Sequence, residues 1–200
     1  SSTSRGLGDV YKRQNKDDLQ NANQLKAFLE MTSELNCPLS LAATGGIFLG
    51  KEYHFDICRP GIGLYGGAPF KEAKAVVNLS LPVIQTRALA PEEAVGYGAT
   101  WTAHRPSLIA TLSAGYADGL IRAMSGRAVV YANGIPCPIA GRVSMDLITV
   151  DVTHLTDIPE NMEILCEQQS IDQLADEAGT IGYEILTSLG NRYNRSYTGV

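Results

Sequence analysis

Three short segments of this 200-residue chain carry residue types suited to chemistry rather than packing. The first is Arg59-Pro60-Gly61-Ile62-Gly63. Successive backbone N–H groups in a glycine-bearing turn bind phosphate well, because no side chain obstructs the approach and the N–H dipoles converge. Gly61 and Ile62 can supply such donors, whereas Pro60 has no N–H. The same spacing also fits a tight turn with a surface arginine. The second segment is Ser113-Ala114-Gly115-Tyr116-Ala117-Asp118-Gly119. Small and polar residues surround one tyrosine, so its hydroxyl can project from a rigid element into a site. A phenol is a poor base at neutral pH without a neighbouring cation or donor network; an edge tyrosine in a turn is the alternative. The third is Gly141-Arg142-Val143-Ser144-Met145-Asp146, a polar turn ahead of a strand, equally readable as a turn in which Asp146 bonds local backbone.

All three fall at a strand end or in a turn, where a rigid scaffold presents side chains to a common cleft. The elements that must hold them follow from periodicity. Ala22, Leu25, Phe28, Leu29 and Leu35 recur near helical spacing and predict an amphipathic helix over Leu19–Leu35, stopped by Pro38. Leu39–Ala43 reads as a short strand, Thr44-Gly45-Gly46 as a turn, Ile47–Leu49 as the start of a helical turn, and Phe55–Cys58 as a second strand. Helix, strand, turn and strand at this spacing are α/β material, as in the closing units of a β/α barrel. A linker is expected over Pro69–Lys74.

Beyond about Val76 the pattern turns β-rich, with runs at Leu79–Leu89, Ser107–Ser113, Arg127–Ala132 and Ile148–Val152. Asn133-Gly134 predicts a hairpin, since both turn positions need positive φ. Ser170 with Gln173 forms a capping-box pattern closed by Gly179, and a second helix is expected from Tyr183 to Leu189, before a final extended segment over Asn191–Val200. The opening Ser1–Gln14 mixes Ser, Gly and charge without apolar period, and reads as a disordered or non-native leader.

Composition narrows the function classes. The net charge of −5, with Lys and Arg scattered, argues against a nucleic-acid surface or an anionic-membrane patch. No apolar run approaches the roughly 20 residues of a membrane span. Cys37, Cys58, Cys137 and Cys166 form no C-x-x-C pair, and His54, His104 and His154 no metal-binding spacing, so a cytoplasmic, metal-free protein is expected.

From about Asn15 to Val200 the chain resembles the alanine racemases, with six motifs in order: L-S-L-A-A-T-G-G-I-F-L-G (Leu39–Gly50), R-P-G-I-G-L-Y-G (Arg59–Gly66), V-G-Y-G-A-T-W (Val95–Trp101), S-A-G-Y-A-D-G (Ser113–Gly119), G-R-V-S-M-D (Gly141–Asp146) and N-R-Y-N-R-S-Y (Asn191–Tyr197). The resemblance implies α/β plus mostly-β architecture: residues 15–75 as the last units of a (β/α)8 barrel that binds pyridoxal 5'-phosphate, and residues 76–200 as a β-stranded domain with short helices. It implies two-base interconversion of L- and D-alanine, supplying D-alanine for peptidoglycan, in a homodimer whose active site is shared between subunits. Tyr116 would be one base, reaching into the partner's site. Arg59 would hydrogen-bond the pyridine nitrogen; a guanidinium donates there without giving up a proton, which limits the ring's electron demand. Thr44, Gly61, Ile62 and Tyr197 would hold the phosphate, and Met145 would offer its N–H to the substrate carboxylate.

The chain departs from the family in three ways. None of its lysines sits in the context of the cofactor-binding lysine, which the family carries further upstream; the chain is therefore expected to be a fragment, inactive alone. Ala43-Thr44 stands where the family usually has Asn-Ser, keeping the hydroxyl and losing the amide. Ser1–Gln14 replaces what should be a barrel strand. A racemase of broader or different substrate range, a non-catalytic β-barrel binding module, and a non-catalytic cofactor-binding homologue are the competing readings; the last generally lacks a second domain.

Overall fold

Apolar spacing in the first described residues forms a 15-residue helix, α1 (Asp18–Thr32). The computed structural model describes residues 18–199, so the expected leader at Ser1–Gln14 lies outside the described residues. The helix stops before the expected Leu35 because the Thr32 and Ser33 hydroxyls bond the Phe28 and Glu30 carbonyls, drawing its last turn closed. Its apolar stripe is only partly covered. Leu25 and Phe28 are half-buried, Phe28 edge-on to Phe55 at 4.8 Å, while Ala22, Leu29 and Leu35 stay exposed.

The chain divides into two units, Ser1–Lys74 and Ala75–Val200. In the first, the strands expected at Leu39–Ala43 and Phe55–Cys58 do not form. Phe55 has φ 51°, which no strand tolerates, and Asp56 turns its carboxylate onto the Leu39 N–H at 2.8 Å. What remains is one parallel bridge, Ala43 with Arg59, reinforced by Arg59 N–H donating to the Ala42 carbonyl at 2.8 Å. A short helix, α2 (Thr44–Ile47), starts at the bridge, and a 3-10 turn over Ile62–Tyr65 follows Arg59.

The second unit is a β-barrel. Its strands are β1 (Leu79–Leu89), β2 (Ala94–Val95), β3 (Trp101–Thr102), β4 (Ser107–Leu112), β5 (Val129–Ala132), β6 (Ile135–Pro138), β7 (Ile148–Asp151) and β8 (Asn161–Leu165). Six of them run in the order β6-β5-β8-β1-β4-β7, all antiparallel neighbours. The 11-residue β1 pairs with β8 through its first half and with β4 through its second, and irregularities at Leu79/Ser80 and Val83/Gln85 bend it between partners. An Ile139–Val150 bridge joins the two edge strands and closes the barrel, leaving no open sheet edge there. Leu81, Ile109, Leu112, Val130, Ile148, Val150, Met162 and Ile164 fill the interior, each contributing about 1.5–3 kcal/mol on burial.

Asn133 and Gly134, at φ 50° and 82°, make the tight β5–β6 turn their types demand. The helix α3 (Ile171–Ala178) has the reciprocal cap: Ser170 N–H donates to Gln173 Oε1 and Gln173 N–H to Ser170 Oγ, and Gly179 closes it at φ 68°. A last helix, α4 (Gly182–Ser188), leads into Asn191–Gly199, which has no regular structure. No helix among the described residues is long and apolar enough to cross a membrane.

Candidate active site

In the first unit, the bridge at Ala43 sets the head of α2 beside the glycine turn. Thr44 is buried, and its Oγ1 accepts the Gly61 N–H at 2.7 Å and the Gly63 N–H at 3.5 Å. With its acceptor sites so used, the hydroxyl keeps its proton to donate. A Cβ on Gly63 would meet Thr44 Cγ2 at 2.8 Å, so this close approach requires glycine. Ile62 opens the 3-10 turn, and among the described residues its N–H has no acceptor. Gly61, read from sequence as an anion donor, spends its N–H on Thr44 instead. Arg59 is steered by the segment just before its bridge partner Ala43: Nη1 donates to the Ser40 carbonyl and Oγ at 3.0 and 2.7 Å, and Nη2 to the Leu41 carbonyl at 3.2 Å. Of five guanidinium protons, the Nε–H and one Nη2–H remain for a ligand.

The second unit assembles a different cluster where β4 and the loop before β7 end. Tyr116 begins a 3-10 turn, Tyr116–Asp118, directly after Gly115. Its N–H donates to the Ser144 carbonyl at 2.9 Å, and the Ala117 N–H to the Met145 carbonyl at 2.9 Å. The two turns lie so close that a Cβ on Gly115 would collide with the Ser144 and Met145 carbonyls. The Tyr116 side chain is 45% exposed and that of Met145 54%. The Met145 N–H has no acceptor among the described residues.

A single guanidinium ties these turns together. Arg192 Nε donates to Asp118 Oδ1 at 2.6 Å and Nη2 to Asp118 Oδ2 at 2.8 Å, while Nη1 donates to Asp146 Oδ1 at 2.7 Å. Asp118 is buried, and its Oδ2 also accepts the Gly115 N–H at 2.9 Å. The hydrogen bonds it donates to Asp118 and then to Asp146 push the Arg192 pKa above its ordinary value. Next to it, the Tyr193 hydroxyl is buried without a partner among the described residues, and burial pushes its pKa up, with the Asp118 charge adding to the shift. The Val95–Trp101 loop lies against the Gly141–Arg142 backbone and is anchored by Trp101 and Val95 on a small core of Leu89, Ala103, Ile109 and Ala140.

The structure thus gathers Arg59, Thr44, Gly61 and Ile62 in one unit, and Tyr116 and Met145 in the other. Tyr197 stands 80% exposed, five residues after Arg192. Asp146 does not bond its own turn as one sequence reading had it; Arg192 outcompetes the local N–H groups because a charged fork makes stronger hydrogen bonds than a neutral amide. Arg192 and Asp118 were not singled out from sequence, and Asp146 only as a turn residue. Each lies in a recognisable motif, but they pair across 74 and 46 residues and leave no local signature.

A family model described as the alanine racemase C-terminal domain matches residues 76–197, and one for the alanine racemase N-terminal domain matches residues 10–69. An alanine racemase of Dinoroseobacter shibae is 63% identical over 179 residues, covering 90% of this chain and 51% of that protein. The alanine racemase structure from Bartonella henselae, solved with covalently bound pyridoxal phosphate, matches with a TM-score of 0.84 at 42% identity, over 89% of this chain and 52% of that one. That from Streptomyces coelicolor matches at 0.85 and 27% identity, over 97% and 54%. The chain spans about half the length of the curated relatives it matches. Its architecture is accordingly a short piece of the racemase N-terminal domain followed by the β-barrel C-terminal domain with short helices. With the C-terminal-domain match alone taking in more than half of the residues, the chain belongs to the alanine racemase family.

Proposed function

We propose that this chain forms the later half of a pyridoxal-phosphate-dependent alanine racemase, which interconverts L- and D-alanine in the cytoplasm and supplies D-alanine to cell-wall synthesis. The observation that carries the reading is the docking of the Tyr116 turn onto the Met145 turn, two N–H···O bonds at 2.9 Å each. That junction joins the turn bearing an exposed phenol to the turn bearing an unused backbone N–H, which suits one group that moves a proton and another that holds a carboxylate. The alanine racemases to which the chain is similar support the same reading. Four unpaired thiols fit a reducing compartment.

The donors of the first unit fit the cofactor. Thr44 keeps its hydroxyl proton, Ile62 keeps its N–H, and both are neutral donors of the kind that bind a phosphate at a turn. Gly61 contributes by holding Thr44, and Tyr197 is a further phosphate ligand in this proposal. Arg59 has two unspent N–H groups for the pyridine nitrogen. When bound, the cofactor supplies the electron sink for the bond broken at the α-carbon. Tyr116 takes or returns the α-proton on one face, in the site of a second copy of the chain, and the Met145 N–H fixes the substrate carboxylate. The opposite face needs a second base, the lysine that the family carries in its N-terminal domain; no lysine here has that context, so the 200 residues by themselves are expected not to racemise alanine. In the full-length enzyme, Tyr116→Phe is expected to lower kcat by a factor on the order of 100–10,000, followed by chiral analysis of the alanine produced. Undiminished turnover would overturn the proposal.

A further inference from the structure

The chain holds one arginine whose position the proposed reaction does not require for contact with substrate, yet whose side chain bonds both of the turns that the proposal uses. Arg192 makes three charge-assisted hydrogen bonds, two to Asp118 and one to Asp146. Asp118 in turn takes the Gly115 N–H, the residue before Tyr116, and its own carbonyl accepts the Gly190 N–H at 3.1 Å, two residues before Arg192. Asp146 directly follows Met145. We infer that Arg192 is a positioning residue which clamps the Tyr116 turn to the Met145 turn, setting the distance between the proton-moving phenol and the carboxylate-holding N–H. The inference rests on the racemase reading of Tyr116 and Met145 given above.

The physical case is one of shape as well as charge. The guanidinium is a flat fork, and here its Nε and Nη2 edges fit one carboxylate side by side while Nη1 reaches the second. An ammonium is a single point and cannot span both carboxylates at hydrogen-bond distance. Asp118 is 5% exposed, so without its partner it would be left as an uncompensated buried charge and the turn around it would rearrange. Asp146 is solvent-exposed, so that arm is the weaker one. The geometry assigns the two arms different outcomes: Asp118 governs the phenol, Asp146 the N–H.

Amide hydrogen exchange on the 200-residue chain reads the clamp directly, because the Gly115, Tyr116 and Ala117 N–H groups all bond within it. Arg192→Gln is expected to speed exchange at these three amides about tenfold, with Ile109 and Val150 in the barrel strands unchanged and Arg192→Lys falling between. Unchanged exchange at the three amides, or equal acceleration throughout the barrel, would overturn the clamp. Should Arg192→Gln not fold, Asp146→Asn on its exposed carboxylate isolates one arm: faster exchange at Ala117 supports the inference and no change refutes it. In the full-length enzyme with cofactor, Asp118→Asn is expected mainly to lower kcat, Asp146→Asn mainly to raise KM, and Arg192→Gln to do both, its kcat falling on the order of 100-fold. An inactive Tyr116→Phe beside an unaltered Arg192→Gln defeats the clamp. An active Tyr116→Phe defeats the racemase reading instead, and leaves the exchange result standing.

Discussion

Leu41 and Ala42 are the buried hydrophobic residues described before Lys74, whereas the unit from Ala75 onward buries its core along all strands of the six-stranded sheet and both of its helices. In the first unit Leu29, Met31, Leu35, Phe48, Ile57 and Leu64 are exposed. Composition separates the two regions in part, since Ile and Val together number four among residues 1–74 and 21 among residues 75–200. The rest of the difference lies in closure. A barrel pairs its first and last strands and covers its own inner face, so each strand's apolar residues meet others of the same unit. A β/α segment has an inner and an outer face to cover, and a parallel strand pair buries neither unless more strands and helices surround it. The functional consequence follows from the same contrast. The Tyr116 and Met145 turns are held by a complete scaffold, while the Arg59 and Thr44 turn is held by one bridge, the Arg59 side chain and the hydroxyl of a single threonine.

Separating the units should give the largest effect. Ala75–Val200 alone is expected to unfold cooperatively in urea, and Ser1–Lys74 alone to show no cooperative transition; a sharp melt from the shorter piece would break the comparison. The next effect compares single leucines. Leu81→Ala, at a fully buried barrel position, is expected to cost about 2–5 kcal/mol. Leu29→Ala, on a side 50% exposed, should cost less than about 0.5 kcal/mol. Urea titrations of the two variants decide it, and equal losses would mean that α1 is buried in solution. The smallest effect is a pH dependence confined to the barrel. Burial pushes the Cys137 thiol up from 9.0 to about 11. The unfolded chain therefore loses this proton first, binds fewer protons than the native state between about pH 9 and 11, and gains on it; stability falls as pH rises through that window. Cys137→Ala should flatten this alkaline decline, and an unchanged slope would remove Cys137 as its source.

Much of the barrel was legible beforehand because its signals are local. Leu79–Leu89 is a strand to the residue, Asn133-Gly134 turns where its φ preferences demand, and Ser170 with Gln173 caps α3. β8 was not expected: Asn161-Met162-Glu163-Ile164-Leu165 is short, has one β-branched residue, and is extended because β1 and β5 flank it on either side. The expected strand at Phe55–Cys58 failed for the opposite reason, since an apolar run says nothing about the positive φ that Phe55 adopts to let Asp56 reach Leu39. At the candidate site, Arg59, Ile62 and Tyr116 stood out by residue type and motif, and Thr44 and Met145 only by the resemblance of their motifs. Their supports did not, because Asp118, Asp146 and Arg192 look like ordinary surface charges until folding brings them together.

The order of residues along the chain determined which candidate groups are present: a phenol after a glycine, an arginine before a proline, a threonine at the head of a helical turn, and the β-type alternation that carries them. Those are properties of side chains and of dihedral preference, which act over a few residues. Only the tertiary structure decided which groups meet. It closed the barrel through Ile139 and Val150, spent the Gly61 N–H on Thr44, and set Arg192 between two carboxylates. Hydrogen bonds and ion pairs depend on distances of a few ångströms, and across 46 or 74 residues such distances are set by packing of the whole unit.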